Sequence, residues 1–340
     1  MVDIAAMRKM LNKKAGMDVA HNLKEDNPTE VKDWIATGSR WLDSIICRGK
    51  LAGIPVGKVV EIAGLESTGK SYMAAKIAAN AQKKGQNVVY FDSESAIDPA
   101  FLENAGCDLE TLIYVQAKNV EFVLESIEEF LKTGEQTLFI WDSLALTPAI
   151  SDVEGDFNPQ SSMAVKARIL AKAMSKITIP IANSQSTLLV LNQLKMNLNT
   201  NNPSARFTEP YVTPGGKALV YAYSLRIWLT GRKSKASYIN DENGFRIGSE
   251  VKATIQKSRF GTQGRQATFK ILWGDEVRIL DEESWLEAIK GSKYIDIKGS
   301  WYHMDMGNGE KAKFQPGRWM TKMEDEKFKN RVLEIMEEEV

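Results

Sequence analysis

Cysteine is almost missing from this chain. Cys47 and Cys107 are the only two in 340 residues, too few for a disulfide framework or a thiolate zinc site, and they point to a reducing compartment. The two histidines, His21 and His303, lie far apart in sequence, which argues against histidine-based metal or triad chemistry. No apolar run approaches the roughly 20 residues needed to cross a bilayer. The basic N-terminal stretch MVDIAAMRKMLNKKAG has no apolar region or cleavage site of the signal-peptide kind. These absences predict a soluble, cytoplasmic protein with no membrane partner. An excess of either charge is absent too, since 44 Lys and Arg balance 44 Asp and Glu. That balance excludes a uniformly basic, tail-driven binder of polyanions.

The neutral sum conceals segregation. Residues 195–265 carry twelve Lys and Arg against four acids, whereas residues 92–156 carry fifteen acids against two Lys. A length of 340 residues, 43% hydrophobic and 26% charged, predicts a folded chain of about two domains at roughly 150 residues each.

Residues 1–35 hold an apolar stripe, Ile4, Met7 and Leu11, among Arg8, Lys9, Lys13 and Lys14. A segment this short docks on something larger, either its own core or a neighbouring subunit. From residue 58, apolar runs at 58–63, 87–91, 137–141 and 187–191 alternate with helical patterns at 71–84, 120–132 and 163–179. Short β-branched runs alternating with helices predict an α/β core with a mainly parallel central sheet. Residues 218–273 look like successive antiparallel strands, and from about 275 a small α+β lobe with an acidic end follows. The expected division is 1–35, 36–274 and 275–340.

The strongest motif is Gly64-Leu65-Glu66-Ser67-Thr68-Gly69-Lys70-Ser71, which fits G-x-x-x-x-G-K-[ST] between the strand VVEIA and a helix. Its glycines permit a tight loop whose N–H groups, with the helix N-terminus, would cradle phosphates. Lys70 is expected to reach the β- and γ-phosphates of ATP, and the Ser71 hydroxyl to bind Mg²⁺. Ligands of open α/β sheets bind beyond the carboxyl ends of the strands. Three further strands end in Asp92-Ser93-Glu94, Asp142-Ser143 and Asn192-Gln193. Asp142 suits the residue that orients the water shell of Mg²⁺, Glu94 the carboxylate that polarises an attacking water, and Gln193 a sensor of the γ-phosphate.

Beyond this loop the chain resembles the RecA family of DNA strand-exchange recombinases. The carrying blocks are GKVVEIAGLESTGKS, FDSESAIDPAFLENAGCD, FIWDSLALTPAISDVEGD, LLVLNQLKMNL, TPGGKALVYAYSLRI and GSEVKATIQKSRFG, and the likeness runs from about residue 36 to the last residues. It is closer to the bacterial members than to the archaeal and eukaryotic ones, and the divergence of its loops suits a phage-encoded protein. The resemblance implies a RecA-type P-loop ATPase core with a short N-terminal helical segment and a small C-terminal lobe. It assigns Glu94 as the catalytic glutamate and Gln193 as the switch glutamine. It places Phe101 against adenine, Asp98 among the nucleotide-binding residues, and Lys257 and Arg259 at a neighbour's ATP across a subunit interface.

The implied partners are single-stranded DNA, homologous duplex DNA and further copies of the chain in a helical filament. DNA contacts are expected from a first loop at about 154–163, ending at Met163 and followed by Lys166 and Arg168. A second loop at about 194–214 bears Lys195, Met196, Arg206, Phe207 and Tyr211, with Gly215 and Gly216 at its close. Pairing with phosphates suits the cations, and stacking suits the aromatic residues. The expected activity is DNA-stimulated ATP hydrolysis coupled to homologous pairing and strand exchange in recombination and repair. The alternatives are a hexameric helicase-type motor on the same fold and a regulatory recombinase paralogue.

Overall fold

The alternation of apolar runs and amphipathic helices builds one wide sheet with helices on both faces. The computed structural model describes residues 3–25, 27, 29–95, 97–154, 159–197, 210–231, 237–273 and 277–340, the backbone alone at 154 and 159–163. Helix α1 (Ile4–Ala15) leads to β1 (Trp34–Ile35), α2 (Arg40–Ile46) and β2 (Ile54–Pro55). The repeating part follows as β3 (Val59–Gly64), α3 (Lys70–Lys83), β4 (Asn87–Asp92), α4 (Pro99–Ala105), β5 (Leu112–Gln116), α5 (Val120–Lys132), β6 (Thr137–Asp142), α6 (Ile150–Glu154), α7 (Pro159–Asn183) and β7 (Thr187–Gln193). Two short strands, β8 (Lys195–Met196) and β9 (Tyr211–Val212), precede α8 (Lys217–Ala222). Strands β10 (Leu225–Gly231), β11 (Tyr238–Asn240), β12 (Arg246–Ser258), β13 (Gln266–Leu272) and β14 (Arg278–Leu280) complete the core. The lobe comprises α9 (Trp285–Ile289), β15 (Ile295–Lys298), β16 (Trp301–Asp305), β17 (Lys311–Phe314), α10 (Trp319–Met323) and α11 (Glu326–Glu339).

The strand order is β14-β13-β12-β10-β3-β7-β6-β4-β5, with β11 paired to β12. From β10 to β5 every pairing is parallel, and the β12, β13 and β14 side is antiparallel. Strands β3 and β6 are buried along their whole length, which is why their sequences are apolar runs rather than alternating ones. Ile62, Met73, Ile77 and Ile140 belong to the core on the α3 face. Val59, Phe91, Trp141 and Met174 belong to the core on the face covered by α5, α7 and α8.

Four sequence boundaries move. Residues 217–222 form helix α8 rather than a strand, because pairing with β3 starts only at Leu225, opposite Val60. Helix α7 starts at Pro159, inside the segment expected to be the first loop, since proline suits the first helical position. It also runs past 179 through Pro180 to Asn183. The core sheet continues through β14, with Leu280 opposite Lys270, so the lobe begins after 280 and not at 275. The lobe has its own apolar cluster, with Trp285, Phe314, Trp319, Phe328 and Val332 buried.

Asp281 links core and lobe, and Asp43 orders the turn beside it. Asp281 accepts from the Arg40 amide (2.6 Å) and from Trp285 Nε1 (2.7 Å). Asp43, fully buried, accepts from the Thr37 amide, the Thr37 hydroxyl and Arg40 Nη1. Burial pushes the Asp43 carboxyl up to about 7, against the pull of Arg40 and the Thr37 donors.

Candidate active site

The carboxyl ends of β3, β4, β6 and β7 open on one side of the sheet, Gly64 level with Gln193 and Asp92 with Asp142. There they border a cavity of about 850 Å³. The 64–71 loop forms one wall. Gly69 opens α3 in the left-handed region, φ 79°, where a side chain is strained. A Cβ on Gly64 would lie 2.5 Å from Thr68 Oγ1 and 3.1 Å from the Leu229 carbonyl, so only glycine fits. Thr68 is buried and its hydroxyl donates to the Leu65 carbonyl (2.8 Å), which holds the loop tight. Lys70 Nζ donates to the Leu65 carbonyl (2.9 Å) and the Gly64 carbonyl (3.3 Å). Burial lowers the Lys70 pKa, opposed by the negative charges of Asp142, Glu94 and Glu66.

Ser71, Glu94, Asp142, Ser143 and Gln193 border the same cavity with Leu65, Glu66, Ser67 and Lys70. Asp142 is buried at the end of β6 and accepts from Tyr90 Oη (2.9 Å) and from the Ser71 hydroxyl. Burial raises its pKa, and these two hydrogen bonds work against the rise. Asp92 does not face the cavity. One of its oxygens accepts from the Glu94 and Ser95 amides (2.8 and 3.0 Å), the other from the Ile97 amide (3.2 Å) and Tyr114 Oη (2.9 Å). It therefore fixes the turn that presents the exposed Glu94. Across the cavity the Leu194 amide donates to the Gly64 carbonyl (3.1 Å). The start of the 194–214 segment is thereby tied to the first residue of the phosphate-type loop.

Other expected site residues lie elsewhere. Asp98 is exposed and caps α4, accepting from the Ala100 amide (2.7 Å). Phe101 packs edge-on to Tyr72 at 6.2 Å. Neither borders the cavity. Lys257 stands in β12 opposite Arg226, which stands beside Glu61 in β3. That level is three residues before Gly64, about 10 Å along the strand. The Arg259 amide donates to the Ser224 carbonyl, further down still. Both cations turn toward the end of α8: Lys257 Nζ donates to the carbonyls of Val220 (2.7 Å) and Tyr221 (3.2 Å), and Arg259 Nη2 to that of Tyr221 (3.3 Å).

The 194–214 segment has a defined stem, with Lys195 opposite Val212 and Met196 opposite Tyr211. Lys195 and Met196 are exposed, Met196 by 73%. Tyr211 packs edge-on to Trp228 at 6.5 Å and is half-buried. Arg206 and Phe207, and residues 155–158 of the first loop, lie outside the described residues. Met163 falls in the opening turns of α7, where the backbone alone is described. Arg168 is exposed on that helix. Lys166 does not point outward: its Nζ donates to the carbonyls of Leu144 (2.7 Å) and Thr147 (2.6 Å), and burial lowers its pKa. Gly215, φ 110°, packs where a Cβ would lie 2.6 Å from Leu219 Cδ2, and Gly216 opens α8.

Two features escaped sequence reasoning. The Arg246 guanidinium sits 3.9 Å from the Tyr238 ring centre and 4.9 Å from that of Trp273, and Arg246 and Tyr238 border the cavity. Beneath the cavity, buried Glu61 pairs with buried Arg226, Nε to Oε2 at 2.6 Å. Only the second left a signal: a lone acid in KVVEIA and a lone base in SLRIWL, each inside an apolar run, ask for each other.

Known proteins bear out the resemblance. Residues 3–278 match the family described as the RecA N-terminal domain. A protein named RecA from Colwellia psychrerythraea is 32% identical over 286 residues, covering 84% of this chain and 77% of that relative. With the parallel sheet, the glycine-lysine loop and a match of this extent, the chain belongs to the RecA family.

Proposed function

We propose that the protein is an ATP-dependent recombinase that assembles head to tail on single-stranded DNA and pairs it with homologous duplex. The observation that carries this reading is that two groups of side chains lie toward opposite ends of one sheet, which suits two halves of a shared site. Lys70, Ser71, Glu94 and Asp142 gather at the carboxyl end, and Lys257 and Arg259 lie at the other. Stacking copies end to end brings the cations of one protomer to the cavity of the next. A contact between unlike surfaces propagates as a helix when its rotation does not close.

The residues present fit a magnesium nucleotide. The glycine loop admits no Cβ at Gly64, Lys70 and the start of α3 supply positive charge, and Ser71 and Asp142 offer adjacent oxygens. Among the described residues, no group of three or more His, Cys, Asp or Glu converges as a metal site, which suits a cation held largely by phosphate oxygens and water. Mg²⁺ would neutralise charge on the transferred phosphoryl group. Glu94, held by Asp92, is placed to orient and deprotonate a water. Gln193 and the Leu194–Gly64 hydrogen bond then link the phosphate end of the site to the 194–214 segment, whose stem exposes Lys195 and Met196.

Assembly has a second handle. Helix α1 buries none of its residues and exposes Ile4, Met7 and Leu11 beside its basic side chains. The edge strand β5 exposes Ile113 and Tyr114, and the nearby α5 carries Phe122, Glu125 and Glu129 around a surface groove. A basic amphipathic helix from one protomer complements this acidic, apolar edge of the next.

Turnover with and without single-stranded DNA, together with joint-molecule formation, tests the reading. Wild type should be stimulated by DNA, Lys70→Ala should lose nucleotide binding, and Glu94→Gln should bind nucleotide and DNA while losing turnover by about 10²-fold or more. Equal turnover with and without DNA and no joint molecules would refute it.

A further inference from the structure

The Glu61–Arg226 pair belongs to a larger group that ties β3, β7 and β10 to the chain's return from the 194–214 segment. Asn192, fully buried, donates from Nδ2 to Glu61 Oε1 (3.0 Å) and also to the Pro214 carbonyl (3.0 Å). Its Oδ1 accepts from the Gln193 amide (3.0 Å). Arg226 donates from Nη2 to the Thr213 hydroxyl (2.9 Å) while its Nε holds Glu61. Glu61 lies three residues before Gly64 on the strand that becomes the phosphate-type loop. Asn192 directly precedes Gln193, and Thr213 and Pro214 are the chain's return from the 194–214 segment.

A buried ion pair is weak evidence for stability, because desolvation of both charges offsets their attraction. An apolar trio of similar volume would fill the same space. What the polar group supplies is position: bonds of fixed length and direction between β3, β7, β10 and the returning limb. A displacement of Gln193 is carried by its amide to the Asn192 side chain, and from there to the Pro214 carbonyl. Arg226 and Thr213 hold the same limb from the other side, so it is bonded to β10 as well as to β7.

We infer that Asn192, Arg226 and Thr213 are positioning residues that transmit nucleotide occupancy to the return limb of the 194–214 segment, with Glu61 as their common anchor. The inference rests on the recombinase reading, which makes that segment a DNA contact.

The test uses the full-length protein, a labelled oligo(dT) and a slowly hydrolysed ATP analogue. The quantity read is the ratio of DNA affinity with and without the analogue. In Thr213→Val and Asn192→Leu this ratio should fall at least about fivefold, while analogue affinity without DNA stays within about twofold of wild type. Hydrogen exchange at 210–216 gives a readout that needs no DNA: the analogue should slow it in wild type and leave it unchanged in both variants. Thr213→Val swaps a hydroxyl for a methyl at a half-buried site and keeps the experiment sound where Asn192→Leu unfolds. A ratio and an exchange response preserved in Thr213→Val would overturn the inference. So would an exchange response missing from wild type. A wild-type ratio of one alongside a normal exchange response would instead refute the DNA reading, leaving the link between nucleotide and limb in place.

Discussion

Subunit mixing gives the sharpest test of two half-sites at opposite ends of one sheet. Lys257 stands level with Glu61 across β10, about 10 Å along the strand from Gly64, and its Nζ already faces the α8 carbonyls. Arg259 lies further from the loop, bonded through its amide to Ser224. Neither can reach a phosphate on its own Lys70. Lys257→Ala combined with Arg259→Ala should therefore leave nucleotide binding to the monomer intact and lower DNA-stimulated turnover by about 10³-fold, the scale of a cation supplied in trans. Lys70→Ala should be inactive for the opposite reason. Mixed in equal amounts, the two inactive proteins form interfaces at random. About one in four then joins an intact phosphate loop to intact cations, so turnover should return to about a quarter of wild type, far above the 10³-fold-reduced parents. Steady-state ATPase with saturating single-stranded DNA reads this directly. A mixture no more active than its parents, or a double variant with wild-type turnover, would refute the trans arrangement.

Two further outcomes follow from buried carboxylates. Asp92→Asn puts an amide nitrogen against donors that Asp92 now accepts from, among them the Glu94 and Ser95 amides or the Ile97 amide and Tyr114 Oη, at about 1.5 kcal/mol or more for each lost bond to a charged acceptor. The loosened Glu94 turn should cut maximal turnover at least about tenfold with nucleotide affinity preserved, and equal losses in both would show general damage instead. Asp43 titrates near 7 in the folded protein against 3.8 for an ordinary aspartate, so the folded state binds a proton that the unfolded chain has released. Its contribution is complete below about pH 4 and is lost as pH rises toward 7. Asp43→Asn should thus gain stability relative to wild type across that window in urea melts, and a difference independent of pH would refute the assignment.

The 64–71 turn between β3 and α3 was legible because its pattern is local: eight consecutive residues carry the glycines, the lysine and the hydroxyl, with a strand before and a helix after. Strand ends were legible for the same reason, since an apolar run that stops at Asp or Asn marks its own boundary. The first turns of α7 and the whole of α8 were misplaced because a loop and a helix start share proline and small polar residues there, and only packing decides between them. Lys166 shows the limit most clearly. In sequence it is a cation beside a loop, and in the fold its ammonium is spent on the carbonyls of Leu144 and Thr147.

Sequence alone determined the α/β class, the P-loop and the identity of the acids that face it, because periodicity and motif spacing depend on neighbours a few residues apart. Only the tertiary structure decided that Lys257 and Arg259 lie at the far end of the sheet from Lys70, and that Glu61, Asn192 and Arg226 meet. Glu61 and Arg226 are 165 residues apart in the chain. The sequence marks each only as a lone charge in an apolar run; which partner it meets depends on strand order and register, which arise from the packing of the whole sheet.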